Sequence, residues 1–423
     1  MTDTDVTPQG SRLPRALTPF RHSAYRRLAI ALVLATFAGG VWVVGLVWEV
    51  IRLGGGPAQL SLVSTASAVG VLLPALLGGV VADRVPQKVI LLGVAMTEVA
   101  CMGLVAVFSV TDLTRLWQLA VVGFAIGAAM AFYYPAYSAW LPALVPEEDL
   151  LAVNGFEGMI RPTIGQALGP AVAGVVVGAA SPGAALSVAA LSSLAGLVAL
   201  ATVPLTPVRR DTDQPATSML HDLREGFGYM VRTPWLLATL LFASLMVFLI
   251  MGPLEVLLPF LIKDKLGGGP GDHALVLAAF GVGGAVGSMT VASLRMPRRY
   301  LTWMNLMWGL GCLPFAVMGI ATEIWMLVVA AFVLGAFFSA PMVIWGTLLQ
   351  RRVPPHLLGR VASLDFFVSI SLMPISMALA GPVSEAIGLR TTFLIAGTLP
   401  AVAAAVAIIA AKLPQDEIAH PLD

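Results

Sequence analysis

Charged side chains are scarce in this sequence. Only 11% of the 423 residues are Asp, Glu, Lys or Arg, and 58% are hydrophobic, whereas a soluble domain carries about 25% charged residues. A fold surrounded by water cannot bury so much apolar surface, so we expect lipid to be the solvent for most of the chain. The net charge of +1 also excludes nucleic-acid binding through bulk electrostatics.

Cysteine is nearly absent, and histidine is too dispersed to build a metal centre. The two cysteines, Cys101 and Cys312, lie inside apolar runs, which favours small buried hydrophobic residues over a disulfide framework. The five histidines fall in loops, tails or helix ends, without metal-ligand spacing. The sequence has no nucleotide-binding loop of the G-x-x-x-x-G-K-S/T type. We therefore expect no metal, no cofactor, no ATP-driven step and no enzymatic activity.

Long apolar runs dominate the rest of the sequence. A helix needs about 20 mainly apolar residues to cross a bilayer, and about twelve runs meet that length. The first run ends in no small-residue cleavage site, so we expect it to stay as a span. The predicted spans are Leu28–Val50, Gln59–Ala82, Val89–Val110, Leu116–Trp140, Gly155–Ala179, Ala184–Val203, Trp235–Ile262, Ala274–Leu294, Leu301–Ile320, Ile324–Leu348, Val361–Ile387 and Thr391–Ala411.

Lysine and arginine are distributed unevenly between the two sides of these spans. With the N-terminus in the cytoplasm, 18 of the 24 basic residues fall in inner segments, five in outer segments and one, Arg161, inside a span. This bias follows the positive-inside rule. We therefore predict that both termini are cytoplasmic and that the protein lies in the cytoplasmic (inner) membrane.

The longest polar stretch divides the spans into two sets of six. It contains an amphipathic segment, His221–Val231, which either lies on the membrane surface or is a simple tether. The predicted regions are a cytoplasmic tail (1–27), a first six-helix bundle (28–205), a linker (206–233), a second six-helix bundle (234–412) and a C-terminal tail (413–423).

The two halves echo each other at an offset of about 207 residues. A Val-Pro pair begins at Val145 and again at Val353. A Gly-Pro pair begins at Gly169 and, after a small insertion, at Gly381. Parallel repeats of six spans are one construction of secondary transporters. We therefore predict two bundles that rock against each other around a central cavity.

A charged turn, GGVVADRVPQK over Gly78–Lys88, follows the second span. It resembles the signature loop G-x-x-x-D-R-x-G-R-R of the major facilitator superfamily, although proline and glutamine replace the glycine and the first arginine of that loop. The resemblance implies an all-α membrane protein with about twelve transmembrane helices in two six-helix bundles. The matching residues, which we expect to act at the inner gate, are Gly79, Asp83, Arg84 and Lys88.

Further charged residues are expected near the same gate. In the family, the acid corresponding to Asp83 contacts the start of the eleventh span, which here begins near Arg360. Glu157 and Asp365 occupy matching places in the two halves, near the inner ends of spans five and eleven. They are either helix-capping acids or part of a charge relay, in which Glu157 pairs with Arg161 one turn later.

Three acids inside spans are candidates for coupling. An acid at the centre of a membrane helix costs about 2.5–3.5 kcal/mol, so each needs a reason. Glu49 and Glu255 lie at matching places in spans one and seven, and Glu98 lies in span three. We predict that Glu255 and Glu49 face the cavity and bind a proton or a cationic substrate, with Glu98 ranked below them. For Glu49 the alternative is a position in the headgroup region beside Arg52.

The fifth span carries a motif of small residues. It resembles the G-x-x-x-G-P-x-x-G-G motif of proton-coupled antiporters, in which it marks exporters. The alternative is a packing contact of small residues, which is common between membrane helices. The motif residues are Gly165, Gly169, Pro170 and Gly174.

Aromatic residues are candidates for the substrate cavity. An aromatic cavity with few polar groups suits lipophilic compounds, and an acid attracts cations. The candidates are Trp42, Tyr133, Tyr134, Tyr137 and Trp345.

Within the superfamily, three stretches resemble the enterobactin-exporter and macrolide-efflux branch. They are Gly78–Leu91, Pro142–Gly178 and Gln350–Leu364. The resemblance implies proton-driven export of a drug or a siderophore through the bilayer, and we expect a monomer. The alternatives are an importer or a lipid transporter on the same fold.

Overall fold

The described part of the chain is helical. The computed structural model describes residues 15–75, 77, 81, 84–146, 149–206, 219–354 and 357–422, and no β-strand occurs in those ranges. A 3-10 turn, Arg15–Arg21, precedes the first helix. The helices are α1 (Ser23–Arg52), α2 (Pro57–Leu72), α3 (Gln87–Val110), α4 (Leu116–Leu144), α5 (Leu150–Ile160 continuing through Arg161–Leu168 to Gly169–Ala179), α6 (Pro182–Ala201), α7 (Met219–Arg232), α8 (Pro234–Lys265), α9 (Pro270–Ser293), α10 (Tyr300–Ile320), α11 (Ile324–Arg352), α12 (Leu358–Ile387), α13 (Leu389–Ala410) and α14 (Leu413–Ala419).

Eleven helices in the described ranges are long and apolar enough to cross a membrane. They are α1, α3 to α6 and α8 to α13, and they confirm the predicted all-α membrane architecture. The second predicted span, Gln59–Ala82, is described as a helix only over Pro57–Leu72, and part of its remainder lies outside the described residues. The total of twelve spans and the cytoplasmic placement of the termini therefore stay predictions.

Several helices extend beyond the apolar runs that predicted them. Helix α1 begins at Ser23 rather than Leu28, and α12 begins at Leu358 rather than Val361. Backbone hydrogen bonding continues into the interface, where side chains no longer need to be apolar. Hydropathy therefore locates the membrane-embedded part of a helix and not its ends.

Two short helices flank the second set of spans. Helix α7 contains the amphipathic segment expected over His221–Val231. The predicted C-terminal tail is instead partly the docked helix α14, which follows a left-handed turn at Lys412. The Glu417 carboxylate of α14 accepts hydrogen bonds from the Leu301 amide (2.9 Å) and the Thr302 hydroxyl (2.6 Å) at the start of α10. The docking was missed because only local hydropathy guided the prediction.

The two sets of helices pack with the same pairings. In the first set, α1 contacts α6 and α5, α2 contacts α4, and α3 contacts α6. In the second set, α8 contacts α13 and α12, α9 contacts α11, and α10 contacts α13. Each pairing in one set thus has its counterpart in the other, which supports a structural repeat.

Matching glycines allow the closest helix contacts in both sets. A Cβ atom on Gly127 of α4 would lie 2.2 Å from the Ser67 carbonyl oxygen of α2. A Cβ atom on Gly335 of α11 would lie 2.0 Å from the Phe280 carbonyl oxygen of α9. Only glycine permits such backbone contact, so the repeat extends to the packing of single residues.

The two sets meet through α2 with α12 and through α5 with α9. The Gly381 amide of α12 donates a buried hydrogen bond of 2.9 Å to the Ser61 hydroxyl of α2. Both residues lie towards the end of the molecule that carries the α1–α2 and α5–α6 turns, which we call the predicted outer end. The two halves are therefore closed against each other at the predicted outer end.

Candidate functional site

Glu255 lies where α8 departs from regular helical geometry. Two stretches of this helix, Pro253–Leu257 and Leu261–Lys265, are π-helical. Proline removes a backbone donor, and π turns recur at functional sites. Immediately before the first stretch, the Gly252 amide donates to the Ser376 hydroxyl of α12 at 2.9 Å. The distorted turn that carries Glu255 is therefore fixed against α12.

Glu255 differs from its neighbours in exposure. Its side chain is exposed although protein surrounds it closely, whereas the next two residues, Val256 and Leu257, have no exposed surface. Within the described ranges, no hydrogen bond or ion pair joins Glu255 to another residue. An acid in that setting is available to bind a proton or a cation.

Glu49, at the matching place in α1, has a different environment. Its side chain has no exposed surface, and both carboxylate oxygens accept from Arg52, at 2.8 Å from Nη2 and 2.9 Å from Nε. Arg52 Nη1 also donates to Asp112, at 2.7 Å. The structure thus corrects the expectation that Glu49 faces the cavity, because the arginine three residues away occupies its carboxylate.

Glu98 faces a small cavity inside the first set of helices. The cavity measures about 30 Å³ and lies between α1, α3, α4 and α6, where Tyr133, Tyr137 and Ser193 also line it. A volume of that size holds about one water molecule. The Ser193 hydroxyl oxygen is buried without a hydrogen-bond partner in the described part of the chain, and the Tyr137 hydroxyl lies beside the Glu157 carboxyl group. Glu98 therefore lies in a confined, mainly apolar cavity that also contains two tyrosines and one serine.

The expected pair between Glu157 and Arg161 is not formed among the ion pairs of the described residues. The Arg161 guanidinium lies over the Tyr134 ring, 5.8 Å from its centroid. The Glu157 carboxyl group is buried beside the Tyr137 hydroxyl of α4 instead. Arg161 also begins the π-helical stretch of α5, next to Pro162.

Asp365 is held by neighbouring side chains of the second set of helices. Its Oδ2 accepts from the Trp345 indole nitrogen at 2.9 Å, and its Oδ1 accepts from the Ser369 hydroxyl at 3.3 Å. Trp345 is buried and contacts Trp235 edge to face, with 6.1 Å between ring centroids. Trp345, which was expected at the substrate cavity, thus orients Asp365.

The expected inner gate is described only in part. Asp83 and Gly79 lie outside the described residues, so their predicted contacts stay predictions. Arg360 pairs with Glu225 on α7. Lys88 donates to the carbonyl oxygens of Ala201 (2.8 Å) and Val203 (2.5 Å), which end α6.

The remaining gate residue, Arg84, is exposed. The Lys88 contacts described above lie within the first half, so Lys88 stabilises that half. The Arg360 pair holds the linker helix α7 against α12.

The small-residue motif of α5 lies at two helix contacts. A Cβ atom on Gly169 would lie 2.9 Å from the Cα atom of Gly40 in α1. A Cβ atom on Gly174 would lie 2.4 Å from the Ala274 Cβ atom in α9, across the two halves. The other motif residues, Gly165 and Pro170, also contact α1 at Thr36 and Gly40 respectively.

The other aromatic candidates are divided between interior and surface. Trp42 and Tyr137 are buried, and Tyr133 stacks on Tyr137 with 5.6 Å between centroids. Tyr134 is 60% exposed. Sequence analysis missed Ser193, although a serine inside an apolar run is itself a signal of a polar interior.

The sequence of this chain is similar to those of known proteins. A family model described as transmembrane secretion effector matches residues 15–421. The chain is 25% identical over 342 residues to Macrolide efflux protein A of Streptococcus pyogenes, covering 79% of this chain and 84% of that protein. It is 27% identical over 403 residues to Multidrug efflux pump Tap of Mycobacterium bovis, covering 92% of each.

Two solved structures show the fold alone, because their sequence identities are low. The nucleoside transporter NupG superposes with a TM-score of 0.71 at 14% identity, covering 92% of this chain and 98% of that one. A bacterial homologue of the human lysosomal transporter Spinster, in an inward-facing and unoccupied conformation, superposes with a TM-score of 0.66 at 16% identity. That alignment covers 96% of this chain and 99% of the other.

Proposed function

This chain belongs to the transmembrane secretion effector family of the major facilitator superfamily, and we propose that it exports lipophilic cations in exchange for protons. The relatives, which are macrolide and multidrug efflux proteins, support the export of small molecules. Those names favour drug-like substrates over a siderophore, and export over import or lipid transport. The exchange for protons and the positive charge of the substrate are proposed from the site itself.

The setting of Glu255 supports both proton exchange and a cationic substrate. Its carboxyl group is exposed inside the protein and unpaired among the described residues. A charge removed from bulk water needs a counter-ion or must be neutralised. The site therefore favours either a bound cation or a bound proton, and it disfavours an empty carboxylate. If the Glu255 carboxylate binds either the cation or the proton but not both, the binding of one requires the release of the other. That competition produces exchange.

Alternating access supplies the direction of this exchange. The halves are closed at the predicted outer end, where Ser61 and Gly381 are bonded, so Glu255 would load its substrate from the cytoplasm. Opening of that end would release the cation outside and let a proton take its place. We propose that one chain performs the cycle in the cytoplasmic membrane, since the two halves of a monomer form the cavity.

Glu98 is a second candidate for the proton site. It lies in the small, mainly apolar cavity of the first half, and no residue of the described ranges pairs with it. Its cavity holds about one water, which suits a proton and excludes a drug-sized cation. In that arrangement Glu98 would take the proton while Glu255 takes the cation.

The proposal is tested by dye efflux from vesicles loaded with a lipophilic cation. We expect the wild type to export dye only when a proton gradient is imposed. Glu255→Gln should lower gradient-driven efflux by roughly 100-fold, about 2.7 kcal/mol, while Glu49→Gln at the matching place should retain it. Efflux without any gradient dependence would refute proton exchange.

Binding separates the roles of the two candidate acids. If Glu255 takes the cation, Glu255→Gln loses equilibrium binding of the dye, whereas Glu98→Gln keeps binding and loses coupling. Full gradient-driven efflux by Glu255→Gln would exclude Glu255 as the exchange site.

A further inference from the structure

Two tyrosines lie between two acids of the first half. Glu98 of α3 lines the small cavity together with Tyr133 and Tyr137 of α4, and the two tyrosine rings are stacked with 5.6 Å between their centroids. The Tyr137 hydroxyl lies beside the Glu157 carboxyl group of α5. Tyr133 is close enough to both acids for their charges to act on it. Three helices thus bring together four side chains that carry a titratable proton.

These four side chains lie at two depths. Glu98 and Tyr133 are eleven residues from the predicted inner ends of α3 and α4, which is about 16 Å at a rise of about 1.5 Å per residue. Tyr137 and Glu157 are seven residues from the predicted inner ends of α4 and α5, which is about 10 Å. The groups therefore form a series that descends from the interior of the first half towards its predicted inner end.

The chemistry of the series suits the passage of a proton. The cavity of about 30 Å³ holds about one water molecule, which has Glu98, Ser193 and the tyrosine hydroxyls as polar partners. A tyrosine hydroxyl both donates and accepts a hydrogen bond. It can therefore take a proton from one neighbour while it passes its own proton to the next, and the phenol is neutral before and after the transfer.

The second half repeats one pair of the series without this chemistry. At an offset of 208 residues, Trp345 corresponds to Tyr137, and Asp365 corresponds to Glu157. The Trp345 indole nitrogen donates to Asp365 at 2.9 Å, but an indole only donates and cannot accept a proton to pass it on. The same place in the fold thus holds a fixed hydrogen bond in one half and a pair able to transfer a proton in the other.

Glu157 connects the series to the surface. Its Oε1 atom is buried, although the residue as a whole is half-buried. The exposed Arg161 side chain lies close enough for its charge to act on Glu157, so the charge of the deprotonated acid is compensated in part. Further titratable groups near the series are Cys101, close to Glu98, and Tyr25, close to Glu157.

We propose that Tyr133 and Tyr137 conduct the transported proton from Glu98 to Glu157, which releases it at the predicted inner end. This inference rests on the proposed proton exchange, in the arrangement in which Glu98 takes the proton and Glu255 takes the cation. When the cation binds, the Glu98 carboxylic acid loses one proton and the Glu157 carboxylate gains one. Each phenol between them receives one proton and gives one away, and Glu157 then loses its proton to water.

The test measures the proton that the full chain, in mild detergent, releases when a lipophilic cationic dye binds. A pH indicator reports the release in a stopped-flow instrument. Tyr137→Phe keeps the ring and removes the hydroxyl. We expect its proton release to slow by about 100-fold, the lower end of what a positioned proton-transfer group contributes, while its equilibrium dye binding and the number of protons released stay unchanged.

Tyr300→Phe is the matched control. It removes a buried hydroxyl of the second half, which donates to the His420 carbonyl oxygen at 2.7 Å, and we expect it to release protons at the wild-type rate. Glu157→Gln should slow release as much as Tyr137→Phe does. Glu157→Asp, which keeps a carboxyl group, should recover most of the rate, and this pair of variants decides the proposal even if Tyr137→Phe is unstable.

Four results would overturn the proposal. Wild-type release rates in Tyr137→Phe or in Glu157→Gln would exclude this route and leave proton exchange intact. Equal slowing in Tyr300→Phe would show that the loss of any buried hydroxyl slows the protein. A parallel loss of dye binding in Tyr137→Phe would show that the tyrosine maintains the fold of the binding site. No proton release from the wild type would refute the proposed exchange itself, and the route with it.

Discussion

Glu49 and Glu255 occupy matching places in the two halves, 206 residues apart, yet their environments are opposite. Glu49 is enclosed and neutralised by Arg52. The residue that corresponds to Arg52 in the second half is Leu258, which is buried and apolar. One repeated acid has thus become part of an ion pair, and the other remains unpaired among the described residues.

The backbone differs at the same place. Helix α8 has Pro253 and Pro259 in and around its π-helical turns. The corresponding residues of the first half are Val47 in α1 and Leu53 just after it, and α1 continues as a regular helix to Arg52. We infer that the first half stabilises the predicted outer end, while the second half provides the exchange site.

The largest expected effect comes from giving the second half the arginine of the first. In Leu258→Arg, a guanidinium three residues after Glu255 would compete with the substrate as a tethered ligand at millimolar or higher effective concentration. We expect gradient-driven efflux to fall roughly 100-fold, about 2.7 kcal/mol. The measurement is dye efflux from vesicles that contain equal amounts of monodisperse protein.

Leu258→Met is the control for that variant, because it keeps the site apolar and costs less than about 1.5 kcal/mol of stability. Wild-type efflux by a well-folded Leu258→Arg variant would exclude cation binding at Glu255.

The converse change tests the ion pair of the first half. Arg52→Met leaves the buried Glu49 carboxylate without its partner, and breaking a buried pair costs about 3–5 kcal/mol. We expect a large fall in melting temperature, measured by size-exclusion chromatography after heating. Glu49→Gln/Arg52→Met removes the charge as well and should recover most of the loss. No recovery in the double variant would show that Arg52 acts mainly through Asp112.

The next largest effect is expected from a change that prevents the two halves from closing against each other at the predicted outer end. Gly174→Leu would collide with Ala274, and overpacking costs about 1–3 kcal/mol, a shift of roughly 5- to 150-fold in a two-state equilibrium. We expect the separation between labels on α5 and α9 to increase, measured by electron paramagnetic resonance.

Gly178→Leu in the same helix is the matched control, since a Cβ atom there meets nothing within 4 Å. Equal separations in the two variants would contradict the view that Gly174 permits closure.

The features that could be predicted from the sequence are those that depend on local composition. Apolar runs predicted the spans, and a position of Glu49 beside Arg52 was one of the two alternatives for that acid. It did not reach partners on different helices: Trp345 binds Asp365 from α11, and Arg360 binds Glu225 from α7. Such contacts depend on how helices rotate and pack, and several acids of one sequence satisfy the same local pattern. Geometry, and not residue type, separates Glu255 from the rest.

The smallest expected effect concerns how each half holds the segment that adjoins it at the predicted inner end. Hydrogen bonds from the Thr18 hydroxyl (2.5 Å) and from His22 (3.0 Å) lower the pKa of Asp149, which precedes α5. The corresponding residue of the second half is Leu357, so that half lacks this acid. Because the pKa is lowered by folding, the contact stabilises the protein above the unfolded value of about 3.9 and is lost as pH falls through the folded value.

Hydrogen exchange of the Arg15–Arg21 turn checks this pH dependence. We expect protection at neutral pH that disappears in acid, and Asp149→Asn should show weak protection at every pH. Asp264→Asn is the control and should match the wild type, because Asp264 is a surface acid whose ion pair within the described ranges is with the adjacent Lys263. If Asp149→Asn kept wild-type protection at neutral pH, the packing of Phe20 against Phe156, with 5.1 Å between ring centroids, would be enough to hold the turn. The first half would then anchor its segment by apolar contact, and the difference from the second half at this position would have no electrostatic consequence.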